Sequence, residues 1–161
     1  MKSRIETLPE KLLVGKSIRM SLVNNRTSDL WKDFMTDKSN IENKVGTDLY
    51  SIQVYDNLMY FEKFNPKIEF TKWAATEVKN HKNIPYGFSE FIIKPGLYAV
   101  FLHKGLPSAF PQTMQFIFGE WLPNSNYVLD DRPHFELLGA KYSNNDPSSE
   151  EEVWIPIRKK R

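Results

Sequence analysis

The sequence predicts an α+β fold in which two strand–helix–strand–strand units pack as a pseudo-twofold pair. Three observations lead there. Several short segments alternate apolar and polar residues with the period of two that marks a half-buried strand. Two other segments carry apolar residues at i, i+3, i+4 spacing, the stripe of an amphipathic helix. The order of these segments is the same in both halves, about residues 8–80 and 86–158, with Tyr50 and Phe135 in matching places at an offset of 85. The halves share a pattern and not letters. A chain of 161 residues makes one domain. Scaling of surface with mass gives burial of about 70% of the unfolded surface, enough for a core without disulfides or metal.

In the first unit Leu12, Val14, Ile18, Met20 and Leu22 share one parity, Lys16 excepted, and predict a strand that Asn24-Asn25 breaks. Thr27, Ser28 and Asp29 offer helix caps ahead of Leu30, Trp31, Phe34 and Met35. The polar residues 36–47 read as a fraying helix end and a loop. Tyr50, Ile52 and Val54 alternate with Ser51, Gln53 and Tyr55 in a second strand, and residues 68–78, rich in β-formers, make a third. Pro85 and Gly87 punctuate the connector 80–87.

In the second unit residues 88–93 and 97–102, joined through Pro95-Gly96, read as a strand pair or one long bent strand. Ser108 caps a helix that tolerates Pro111 in its first turn, where the amide has no intrahelical partner. Its apolar stripe is Met114, Ile117, Phe118, Trp121 and Leu122, and Pro123 stops it. Residues 135–138 and 153–157 are strands, and Pro156 places the last at an edge or at its own end. Residues 143–152 read as a polar loop with an acidic run. Units of this kind would put both helices on one sheet face and leave a cleft on the other, near the pseudo-twofold axis.

Composition excludes several function classes. With 40% hydrophobic and 14% aromatic residues the bulk of the chain is not disordered. The net charge of +2 is misleading, because Arg158, Lys159, Lys160 and Arg161 alone carry +4. Residues 81–157 hold five basic and nine acidic side chains. A body so charged is a poor surface for phosphate backbones, so no direct nucleic-acid partner is expected. The absence of Cys removes disulfides, thiolate nucleophiles and Cys-ligated metal, and suits a reducing cytoplasm. His81, His103 and His134 lack metal-ligand spacing, and no phosphate or dinucleotide loop is present, so neither metal nor cofactor is expected. No apolar stretch approaches signal-peptide or membrane-span length, so a soluble cytoplasmic protein is expected.

Four segments carry a family resemblance. Gly96-Leu97-Tyr98-Ala99-Val100-Phe101-Leu102-His103-Lys104-Gly105, then Trp121-Leu122-Pro123-Asn124-Ser125, then Arg132-Pro133-His134-Phe135-Glu136, then Ile155-Pro156-Ile157 resemble, in order, the signatures of the GyrI-like effector-binding domains. They span about residues 88–157, and the first half matches in pattern only. That family includes the ligand domains of multidrug-responsive regulators such as BmrR and the Rob-type AraC proteins, and free-standing gyrase inhibitory proteins. The resemblance implies a tandem strand–helix–strand–strand fold and a central aromatic pocket with a carboxylate at its floor. The chain starts almost at once with its first strand, so a free-standing ligand module without a DNA-binding domain is expected.

Glu136 interrupts the apolar strand Phe135-Leu137 and needs solvent or a partner, because a buried unpaired charge is costly. The resemblance makes it a cation anchor, while strand pattern alone also allows an exposed residue. Trp73, beside Ala74 and Ala75, offers a ring face to a cation or packs in the core. Tyr55 is a pocket hydroxyl or an exposed strand residue. Tyr98 and Phe101 lie on opposite parities, so only one of them faces a cleft. Trp121 matches a signature but also lies on the helix's apolar stripe.

The expected function is binding of an apolar, aromatic, cationic or amphipathic small molecule, to sense or sequester it. Two alternatives accompany it. Glu136 with a Tyr hydroxyl could act as general base in a hydrolase of cyclopropane-type genotoxins, and the domain could restrain a protein partner such as gyrase.

Overall fold

The computed structural model describes residues 1–161. Nine antiparallel strands form the scaffold: β1 (Ser3–Leu8), β2 (Lys11–Met20), β3 (Lys44–Val54), β4 (Phe70–Val78), β5 (Ser89–Ile93), β6 (Gly96–Lys104), β7 (Tyr127–Leu129), β8 (His134–Leu138) and β9 (Glu150–Lys159). The helices are α1 (Thr27–Asp37), α2 (Met59–Glu62) and α3 (Phe110–Phe116). The strand order is β1-β6-β9-β8-β3-β4-β2-β5, with β7 paired to the far end of β9. The order mirrors itself about the β3·β8 pair, where Ser51 lies opposite Glu136. The offset of 85 read from the sequence relates those two residues to each other, so the pseudo-twofold axis passes between them.

Two short corners decide the shape. Only Pro9-Glu10 separate β1 from β2, and only Lys94-Pro95 separate β5 from β6. In each case the joined strands lie six strand spacings apart in the sheet order. A flat sheet would put them about 29 Å apart, whereas two linking residues reach about 11 Å at most. The sheet therefore curls until its ends meet. Leu8, Leu13, Tyr50, Ile52, Ile93, Tyr98, Val100, Phe135 and Trp154 close the inner face of that curl as one buried cluster with no helical member. The bent-strand reading of residues 88–102 is the one observed, with the bend sending the chain from one sheet end to the other. The first half does the same through β1, which the pattern-based boundary at residue 8 left out.

Both helices pack on the other face. Leu30 and Phe34 of α1 meet Val14, Ala74, Val78 and Phe88, and Ile117 after α3 meets Ala99, Phe101, Val153, Ile155 and Ile157. Several local expectations are corrected. Thr27 begins α1 and no side chain caps it; Asn25 instead turns the chain by accepting the Thr27 amide at 3.0 Å. Ser108 lies in a 3₁₀ turn, Pro107–Ala109, and does not cap α3. The helix continues after Phe116 as a π turn, Ile117–Trp121, closed by the Leu122 amide on Ile117 O at 2.9 Å. The polar stretches 36–47 and 143–152 each supply the start of a strand, β3 and β9. Pro156 is inside the sheet: its carbonyl accepts the Asp130 amide, so its missing N–H falls in the gap where β8 has ended and β7 has not begun.

Close strand packing makes Gly15 a sensitive point. A Cβ there would lie 2.2 Å from Ala74 O of β4, a backbone atom that cannot move aside. Gly15→Ala is expected to lower stability by about 2 kcal/mol or more in urea denaturation; a loss under about 0.5 kcal/mol would contradict the tight β2·β4 approach.

Candidate functional site

The helix face is not fully covered. Between α1 and α3, over the middle of the sheet, lies a cavity of about 1420 Å³. The cleft predicted for the face opposite the helices is therefore displaced: that face is consumed by the curl, and the opening lies on the helix side. Each helix has an apolar stripe wider than its contact with the sheet needs. In α1, Leu30 and Phe34 bury against strands while Trp31 and Met35 line the cavity. In the second helix Ile117 buries while Phe110, Met114 and Phe118 line it.

Strand parity supplies the floor. Ser51, Gln53 and Tyr55 of β3 and its end, Phe70 and Lys72 of β4, His134, Glu136 and Leu138 of β8, and Glu151 of β9 all face this side. Glu136 and Lys72 are buried and adjacent, with Nζ 3.8 Å from Glu136 Oε1. Gln53 Nε2 donates to the same oxygen at 2.9 Å. Burial pushes the Glu136 carboxyl above its ordinary value, opposed by Lys72 and Gln53, and burial likewise pushes Lys72 down, opposed by Glu136 and Glu151. The Glu151 carboxyl is pushed up to about 7, by burial first and by the Glu136 charge second. His134 is held down at about 3, by burial and then by Arg132, so it is a neutral wall residue at physiological pH. The floor thus carries one lysine against two carboxylates.

The remaining wall is aromatic. The Tyr55 ring lies 4.3 Å from Tyr60, 4.9 Å from Phe61 and 5.0 Å from His134, and Phe61 packs on His134 and Phe118 at 5.0 and 5.1 Å. Tyr60 and Phe61 come from α2, which sequence reasoning missed. The signal was present in residues 55–64, where four aromatics together with Leu58 and Met59 make six apolar or aromatic residues in ten positions. Asn57 starts the turn by accepting the Met59 amide at 2.8 Å.

Of the six site residues expected from sequence, the structure brings Glu136 and Tyr55 together in the cavity and places the other four elsewhere. Trp73 follows Lys72 on β4, so it points to the inner face, where it packs on Phe91 at 4.9 Å. Tyr98 is buried in that same inner cluster and donates from its hydroxyl to Pro133 O at 2.9 Å. Phe101 is on the helix side but lies beneath the π turn, 5.0 Å from Trp121, which also stacks on Tyr127. Most of the signature residues are scaffold. Arg132 binds Asp130 Oδ2 at 2.7 Å, Leu97 O at 2.6 Å and Ile157 O at 3.1 Å, lies over the Tyr98 ring, and fills the space a side chain on Gly96 would need. His103 Nδ1 meets Thr113 Oγ1 at 2.6 Å and ties β6 to α3. Lys72, Gln53 and Glu151 were missed; Lys72 carries the same signal as Glu136, an isolated charge in an apolar strand.

A family model described as the GyrI-like small molecule binding domain matches residues 1–158. The transcriptional regulator BrlR of Pseudomonas aeruginosa is 26% identical over 159 residues, and this chain spans 56% of that protein's length. Two solved structures share the fold. SAV2435 bound to tetraphenylphosphonium has a TM-score of 0.72 at 16% identity, over 98% of this chain and 94% of that one. The EcmrR C-terminal domain has a TM-score of 0.72 at 13% identity, over 99% of this chain and 98% of that one. No helix of the chain is long and apolar enough to cross a membrane.

The floor charges predict a stability pattern. Lys72→Met leaves two carboxylates without their cation, and stability at pH 8 should fall by about 3–5 kcal/mol. Lys72→Met combined with Glu136→Gln should recover most of that loss in urea denaturation. Equal stability of the single and double variants would contradict the pairing.

Proposed function

This chain belongs to the GyrI-like small molecule binding domain family, and we propose that its cavity receives a bulky aromatic or amphipathic organic cation, which it senses or sequesters. The observation that carries the reading is the pairing of two wall types in one space. Carboxylates lie on the floor, and the rings of Tyr55, Phe61, Phe118 and Trp31 stand around them. A ring face favours a cation by about 0.5–2 kcal/mol, more when water is excluded. Two carboxylates against one lysine give the floor a negative charge to offer a bound cation, an attraction that is stronger in a medium less polar than water. An apolar wall with a few convergent polar groups is the usual form of a small-molecule site. That SAV2435 is described with tetraphenylphosphonium, and BrlR as a transcriptional regulator, supports the same reading for this fold.

The hydrolytic alternative asks Glu136 to take a proton from water. Its Oε1 already serves Gln53 and Lys72, which favours an electrostatic role over general-base chemistry.

The reading separates charge from shape in a direct test. Isothermal titration should show one tetraphenylphosphonium bound per chain and no binding of tetraphenylborate, which has the same shape and the opposite charge. Equal binding of both ions would overturn the cation reading. Tyr55→Leu should weaken phosphonium binding about 2- to 30-fold, while Trp73→Leu should leave the affinity of the folded protein unchanged.

A further inference from the structure

The acidic run Glu150-Glu151-Glu152 begins β9, and its three carboxylates have different surroundings. Glu150 is paired with Lys104 at 3.4 Å and Lys141 at 3.3 Å. Glu152 is paired with Arg4 at 2.9 Å and accepts from Trp154 Nε1 at 3.1 Å. Glu151, between them, points the other way into the cavity, is half-buried, and has no ion-pair or hydrogen-bond partner in the chain. Glu136 is the reverse case, buried and already engaged by Lys72 and Gln53.

We propose that Glu151 is the carboxylate an incoming cation meets, giving up a proton as the ligand arrives, while Glu136 stays held by Lys72 and Gln53. The inference rests on the cation reading of the cavity and assigns its counter-ion. With Lys72 charged and Glu136 ionised, a proton on Glu151 leaves the empty floor neutral, the favoured state for groups withdrawn from water. A bound cation supplies the missing positive charge and the proton departs to solvent. The floor keeps its charge balance in both states.

The groups that face Glu151 fit this exchange. Lys72 on β4 and Glu136 on β8 act on it in opposite senses. Tyr142, after β8, and Tyr55 and Tyr60 also line the space, with phenols held above their ordinary value by burial. His134 on β8 is neutral there. His103, its cross-strand neighbour on β6, turns its ring to Thr113 and Leu106 O. From α1 and α3 only uncharged side chains line the cavity. Glu151 is therefore the cavity carboxylate that has no partner in the chain and is held near neutral pH, its value lying at about 7. A cation favours its ionised form, so binding strengthens as pH rises toward that value and levels above it.

The test is tetraphenylphosphonium titration from pH 5.5 to 8.5, in two buffers of different ionisation heat so that released protons are counted. This cation carries no titrating group of its own. The wild-type chain should gain up to about tenfold in affinity per pH unit on the acid side and release close to one proton per cation at pH 6, falling toward none at pH 8.5. Glu151→Gln should lose both the slope and the proton release. Glu136→Gln should keep them, shifted to lower pH because a neighbouring negative charge is gone. Wild-type binding with no proton release, or a slope that survives Glu151→Gln, would overturn the assignment while leaving the cation reading standing. No phosphonium binding at any pH would overturn both. Where Glu151→Gln fails to fold, Glu136→Gln still decides: proton release that survives in it at lower pH supports Glu151, and release abolished by it would overturn the assignment.

Discussion

Two linkers of two residues govern this structure. Because Pro9-Glu10 and Lys94-Pro95 each join strands from opposite ends of the sheet, the sheet has no choice but to curl. The curl buries the inner face without help from any helix. Both helices must then share the outer face, and two short helices cannot cover eight strands. The uncovered middle is the cavity. Its position over the β3·β8 pair follows from the same mirror order, with Ser51 opposite Glu136 on the pseudo-twofold axis. A pseudo-symmetric fold thus meets a chemically asymmetric floor, since one side of the axis brings Ser51 and Lys72 and the other Glu136 and Glu151.

That asymmetry is what makes the floor usable. A single buried carboxylate would either lose its charge or demand a permanent partner. Here the lysine partners one carboxylate and leaves the other without a partner in the chain, the group we propose a proton or a cation satisfies. Leaving such a site half-paired costs stability. A binding domain can bear that cost because the inner cluster, the Arg132 clamp and the helix cores lie elsewhere and do not share residues with the floor.

Much of the fold was legible in the sequence because parity is a strong signal. The alternation in residues 12–22 and 50–55 placed the strand faces, and the i, i+3, i+4 stripes placed both helices. The family signatures were legible too, but what they encode is largely scaffold: Gly96, Tyr98, Arg132 and Pro133 hold one another, and of those segments Gly105, His134, Glu136 and Ile155 reach the cavity. Strand partners were not legible, because parity tells which residues share a face and not which strand lies alongside. That is why the cleft was assigned to the wrong face. Trp73 stands open between pocket wall and core in the sequence, and the structure shows the core; its neighbour Lys72, read for charge, decides between them, since adjacent strand residues point apart. The acidic run at 150–152 concealed Glu151, because nothing in the letters distinguishes the middle glutamate from its paired neighbours.

The central claim is that the opening between α1 and α3 is a cation receptor with a carboxylate floor. A crystal structure of the chain grown with tetraphenylphosphonium tests it most directly. The account predicts the phosphorus centre inside that opening, phenyl rings against Tyr55, Phe61 and Phe118, and the Glu151 carboxylate nearer to it than Glu136. A cation lodged on the inner face of the curl, or in the opening but turned away from both carboxylates, would contradict it.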